Sequence, residues 1–226
     1  MIRLLLILLL ILPSQAFSDA GFIGEVSDSV ESGPTYLVDE DFDATETPTG
    51  FATLTGTITY DNTTSPINGA QDMLETYSGT TVRATLSFDP DLSTGHTYQF
   101  KFKASALPAS ADAFVTLRNG ATGQAYLRLD SDGSFAAYAP GEGPSATASS
   151  YVSTGSVYQV RAYYEPSSGS DDGTFTVEIR PDGGSWTSVK TQTNATGTSD
   201  IQDAYFEWET TGTLQIDDFQ VFEGTW

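Results

Sequence analysis

The sequence predicts an all-β chain: a two-sheet antiparallel β-sandwich of the jelly-roll kind, with minimal helix. Three observations carry this expectation. Apolar residues recur at period two in stretch after stretch, as in half-buried strands, and no window sustains the helical period. Turn-forming Gly, Asp, Asn, Ser and Pro cut the chain into roughly a dozen short runs, which favours a sandwich over a small barrel. The closing strand, Leu214–Phe222, changes phase: Leu214 and Ile216 point one way, then Phe219 and Val221 carry the stripe onward. A one-residue slip sends every later side chain to the other face unless a β-bulge absorbs it, so a bulge is predicted at Asp217–Asp218. An opening strand of similar make, Tyr36–Asp43, is expected beside it.

The first residues read differently. Met1–Arg3 is a short basic start, Leu4–Leu12 is unbroken apolar sequence, and Pro13–Ala16 supplies small residues for cleavage. That is the pattern of a secretory signal peptide over residues 1–16, cut after Ala16 or, as second choice, Ala20. The apolar run is too short to span about 30 Å of hydrocarbon. Residues 17–35, polar and small, are expected to form a linker or N-terminal arm, and 36–226 the sandwich domain. The protein is therefore expected to be secreted or extracytoplasmic, without membrane insertion.

Composition narrows the function classes. The chain has 9 basic and 30 acidic residues and a net charge of −21, a surface that repels nucleic acid and anionic lipid. It contains no cysteine, so an exported fold must be held by its core, which a domain of this size is large enough to supply. No phosphate loop, zinc-ligand cluster or G-x-S-x-G elbow is present.

Along the chain, Tyr98, Phe100 and Phe102 share one face, with Gln99, Lys101 and Lys103 opposite. Tyr158, Val160, Ala162 and Tyr164 form a second stripe, and Phe175, Val177 and Ile179 a third. Arg118–Gly123, Asp130–Gly133 and Arg180–Gly184 read as tight connections in which glycine supplies positive φ. Pro140–Pro144 and Glu165–Gly173 read as longer loops. Gln71–Leu74 and Ala106–Asp112 are the places where the pattern leaves short helix open.

These segments together resemble the concanavalin A-like lectin/glucanase superfamily, especially its laminin-G-like members. The likeness lies in the order Tyr98–Lys103, Ala125–Gly133, Ser156–Tyr164 and Gly173–Ile179. The ends, Asp41-Phe-Asp43 and Ile216-Asp-Asp-Phe219, are similar to those of jelly-roll carbohydrate-binding modules. The resemblance implies a secreted, non-catalytic, lectin-like domain with a glycan or polysaccharide partner. It also implies a structural Ca²⁺ held between the first and last strands, with Asp43, Asp217 and Asp218 as the ligands.

Glycan sites in such domains stack aromatic faces against sugar rings and use neighbouring polar groups for hydroxyls. Alternation makes Tyr126 and Arg128 outward candidates on one strand, and Arg161 and Tyr163 on another; if the two strands pair, all four line one sheet. Tyr205 and Trp208 are further candidates. An enzyme of the same fold, a glycan hydrolase or lyase, is the alternative. Its nearest carboxyl pair is Glu207 and Glu209, which share a face of what reads as an edge strand; retaining glycosidases hold such groups about 5–5.5 Å apart. The acidic E-x-D-x-x-E run of the glucanases is missing, and His96 reads as part of a surface turn. A structural surface, appendage or virion protein is the third reading.

Overall fold

The computed structural model describes residues 35–226 apart from 44–46, 68 and 70. The expected signal peptide and arm, except Thr35, lie outside the described residues. Alternating sequence becomes strand throughout. Fifteen strands run in order: β1 (Tyr36–Glu40), β2 (Phe51–Thr55), β3 (Thr57–Asn62), β4 (Asp72–Tyr77), β5 (Val82–Leu92), β6 (His96–Ala104), β7 (Asp112–Asn119) and β8 (Thr122–Leu129). They continue as β9 (Phe135–Tyr138), β10 (Ser145–Ala146), β11 (Tyr158–Glu165), β12 (Gly173–Pro181), β13 (Thr187–Ala195), β14 (Ile201–Trp208) and β15 (Gly212–Glu223). Among the described residues there is no helix; Gln71–Leu74 leads into β4 and Ala106–Ala111 is a connection.

One sheet has eight strands, ordered β13-β12-β11-β6-β15-β4-β3, with β1 also pairing β15. The other has seven, ordered β10-β9-β8-β7-β14-β5-β2. Neighbours within each sheet are antiparallel, and the fold is the two-sheet sandwich that the alternation predicts.

Between the sheets lies a continuous apolar layer. All three predicted stripes face it, on β6, β11 and β12. Rings make up much of it: Phe206 packs on Phe219 at 5.1 Å between centroids, Phe102 on Phe114 at 5.0 Å, and Phe102 again on Tyr158 at 5.6 Å. Each buried Phe contributes about 1.5–3 kcal/mol. Ring pairs add roughly 0.5–1.5 kcal/mol each, so this layer replaces the disulfides that the chain lacks.

The closing strand is bulged where the phase change predicts. On β6, Lys101 and Gln99 are two residues apart, while their partners Asp217 and Gln220 on β15 are three apart. Asp218 absorbs the extra residue with φ of 49°. Leu214, Ile216, Phe219 and Val221 thereby all reach the core. On the other edge of β15, residues Gly212–Ile216 pair with β4 and Phe219–Phe222 pair with β1. The bulge thus sits at the handover between two partner strands.

Candidate functional site

On the outer face of the seven-stranded sheet, alternation turns a defined set of side chains to solvent. Ladder register places Thr85 (β5), Tyr205 (β14), Thr116 (β7), Tyr126 (β8) and Tyr138 (β9) in one row across five strands. In the next positions Arg83 opposes Glu207, and Arg118 opposes Asp203. A recess of about 270 Å³ opens among Arg83, Thr116, Arg118, Tyr126, Tyr205 and Glu207.

The recess has two aromatic walls. Tyr126 stacks on Tyr138 with centroids 4.4 Å apart and ring planes 8° apart. The Arg118 guanidinium lies 3.8 Å from the Tyr205 ring centroid, and that of Arg83 lies 5.7 Å from it. A local irregularity shapes the floor. Between Leu117 and Arg118 the register with β8 shifts, so Gly123 opposes Arg118 while Gln124 turns inward and is buried. A Cβ at Gly123 would lie 2.0 Å from the Tyr126 hydroxyl, so glycine lets the Tyr126 ring fold over it.

Arg83 and Glu207 form an ion pair at one side of the recess. Burial pushes the Glu207 carboxyl above its ordinary range; Arg83 pulls it back, and nearby Glu209 pushes it further up. Glu209 follows the last residue of β14, accepts a hydrogen bond from Thr81 at 3.2 Å, and donates its backbone N–H to Asp112 at 2.9 Å. β14 lies between β7 and β5, so Glu207 is on an interior strand and not on the expected edge.

The sequence candidates divide. Tyr126 and Tyr205 meet in the recess. Arg128 shares their face but is held by Asp130 at 2.8 Å. Trp208 is a correction: it is 0% exposed, because Ala204, Phe206 and Trp208 form the inward phase of β14. Arg161 and Tyr163 are a second correction, because β11 belongs to the eight-stranded sheet and cannot line one surface with β8. There Arg161 donates to Glu178 and packs 4.2 Å from the Trp186 ring centroid and 4.5 Å from that of Trp226. Arg180 lies 4.3 Å from Trp186 and donates to Gln159, and the Tyr163 hydroxyl donates to Glu165 at 3.2 Å.

His96 is not in a surface turn. It opens β6, is buried, and its Nδ1 lies 2.8 Å from the Thr94 carbonyl oxygen. It lines a larger cleft of about 510 Å³ beside β1 and β5, walled by Leu37, Val38, Leu86, Phe88 and Leu92. That cleft is mostly apolar and presents no Tyr, Trp or Arg to a sugar.

The expected calcium ligands Asp43, Asp217 and Asp218 each have partners within the protein. Lys101 pairs with Asp218 at 2.9 Å, so an ammonium supplies positive charge at the bulge. Asp217 accepts the Asp218 backbone N–H at 2.8 Å, and Asp43 accepts that of Gln71 at 2.9 Å. Among the described residues, no group of three or more His, Cys, Asp or Glu side chains is arranged to hold a metal ion.

Arg118, Arg83, Thr116 and Tyr138 are the site residues that sequence reasoning passed over. Arg118 was assigned to a turn, yet Val115 and Leu117 are inward, so its outward phase was readable from Thr116-Leu-Arg118.

No family model matches the sequence, and no curated protein matches it. Solved structures do match in shape. A sialidase superposes with a TM-score of 0.56 at 11% identity, over 84% of this chain and 19% of that one. The carbohydrate recognition domain of Emp47p gives 0.54 at 12% identity, over 83% and 94% of the two chains. The marine PL-14 alginate lyase from Aplysia kurodai gives 0.51 at 10% identity, over 77% and 87%. The class is thereby defined: this is a concanavalin A-like two-sheet sandwich. The particular chain carries an aromatic and basic recess on the outer face of its seven-stranded sheet.

Proposed function

We propose that this protein is a secreted glycan-binding domain, non-catalytic, that holds sugar in the Tyr126–Tyr205 recess. One observation carries the reading: two aromatic walls flank hydroxyl, guanidinium and carboxylate groups in a hollow of about 270 Å³. Tyrosine faces stack on the apolar side of a pyranose while the polar groups between them take its hydroxyls. Carbohydrate recognition and lyase domains among the structural neighbours agree with such a surface. A glycan array followed by calorimetry on the hits tests it. Tyr126→Ala and Tyr205→Ala should each weaken binding at least tenfold while the protein stays folded; unchanged affinity in both ends the proposal.

A hydrolase or lyase is the second reading, favoured by the raised proton affinity of Glu207 at the recess. A carboxyl whose proton is held more tightly by burial is the kind of group that serves as a general acid. Turnover of a polysaccharide panel, abolished by Glu207→Gln, would select it. Export has its own test: the mature N-terminus should follow Ala16.

A further inference from the structure

We propose that the recess selects a glycan bearing a carboxylate or sulfate, and that Arg118 is the residue that reads the anion. This rests on the glycan reading of the same face.

Among the described residues, every other basic side chain donates to a carboxylate, an amide oxygen or a backbone carbonyl. Arg118 has no ion pair and no side-chain hydrogen bond; the Tyr205 ring is its one direct contact, and Asp203 acts on it through space. Its neighbours explain why. Asp203 opposes it in the ladder on β14 and feels its charge, yet no hydrogen bond or ion pair occupies the guanidinium fork. Glu207, the other carboxylate of the recess, is held by Arg83. On the β8 side its partner is Gly123, which has no side chain to cover a guanidinium.

A guanidinium stacked on a ring keeps its N–H edge for a ligand. Its planar fork matches a carboxylate or a sulfate through two parallel hydrogen bonds, which a neutral hydroxyl cannot reproduce. The Tyr205 ring keeps Arg118 over the recess, so little side-chain freedom is lost when the anion arrives. Thr116 and the Tyr126 wall lie in the same hollow and would face the rest of the sugar.

The net charge of −21 limits how acidic that glycan can be. At physiological salt, charges more than about 8 Å from the contact are largely screened. A single anion seated on Arg118 feels the fork, whereas a dense polyanion also meets the acidic surface around it. The ligand class is therefore a sparsely charged glycan, with one acidic group per recess.

The test compares cellobiose with its uronic acid and its primary sulfate ester, and lactose with the same two derivatives, by calorimetry. In at least one series an acidic form should bind at least tenfold tighter than its neutral parent. The carboxylate and sulfate arms identify which anion is taken. Arg118→Gln should abolish that preference and shift the melting temperature little; Arg118→Lys should restore part of the preference. Equal binding of neutral and acidic forms, or a preference that survives Arg118→Gln, overturns the assignment of Arg118 and leaves the glycan reading standing. No binding across both series and the glycan array removes both.

Discussion

On the outer face of the eight-stranded sheet, Arg161 donates through Nε and Nη2 to Glu178 and packs against Trp186 and Trp226. On the seven-stranded sheet, Arg118 packs against Tyr205 at 3.8 Å and donates to nothing. Both faces combine arginine with an aromatic ring. Their cross-strand neighbours differ: Glu178 stands opposite Arg161 and accepts from it, while Gly123 and an Asp203 beyond ion-pair reach flank Arg118. A satisfied guanidinium contributes to the fold, and an unsatisfied one beside a hollow is available to a ligand. Composition does not separate the two faces; pairing does.

Four measurements would break or sharpen that contrast. The largest effect belongs to Trp208→Ala, which should cost about 3–5 kcal/mol by urea denaturation because the indole is fully buried. Tyr205→Ala, one strand position class away and outward, should cost well under half of that. Similar losses would show that Tyr205 is structural too.

Lys101→Met comes next. It leaves Asp217, 1% exposed, and its neighbour Asp218 without their ammonium, and should destabilise the protein by about 1–3 kcal/mol. Millimolar calcium should not shift the wild-type melting temperature. A calcium-dependent rise would return the metal to the bulge.

Arg161→Ala should cost about 1–2 kcal/mol through its indole contacts and its pair with Glu178. Arg118→Ala should cost less, about 0.5 kcal/mol, since its ring contact with Tyr205 is not joined by a hydrogen bond or an ion pair. Equal costs would erase the distinction between the faces.

The interior offers a third disposition of charge. Glu75 is fully buried, and neither carboxyl oxygen has a hydrogen-bond partner among the described residues. Burial first, then Asp112 and Glu207, pushes it well above its usual 4.5. Burial likewise raises Asp112 from 3.8 to about 6. Both groups hold protons in the folded state that the unfolded chain has released. Their contribution is intact below the unfolded values and lost as pH rises: through about 6 for Asp112, and from 4.5 upward for Glu75. Glu75→Gln should therefore flatten the decline of stability above pH 4.5 and narrow the gap in stability between pH 4 and pH 8. A pH profile identical to wild type would show that Glu75 does not titrate in that window.

Strand positions were legible wherever one phase was apolar and the other polar. The stripes on β6, β11 and β12 and the slip in β15 have that contrast, because burying one face of a pleated strand demands it. β14 lacks it. Tyr205, Phe206 and Trp208 put aromatics on both phases, so only the packing of Phe206 against Phe51 and Phe219, and the full burial of Trp208, showed which phase is inside. The recess was harder still, since its residues come from β5, β7, β8 and β14, far apart along the chain.

The sequence by itself determined a β-rich chain without cysteine, strongly acidic, with alternating stripes and a kinked last strand. These are local properties, set by side-chain period and by the need to keep apolar groups in one layer. Strand neighbourhood settled that β8 and β11 lie in different sheets, that Trp208 is core, and that among the described residues the Arg118 fork donates no hydrogen bond. Those facts depend on which strands neighbour one another, and hydrogen-bonded pairing across long separations is not encoded in any single stretch of residues.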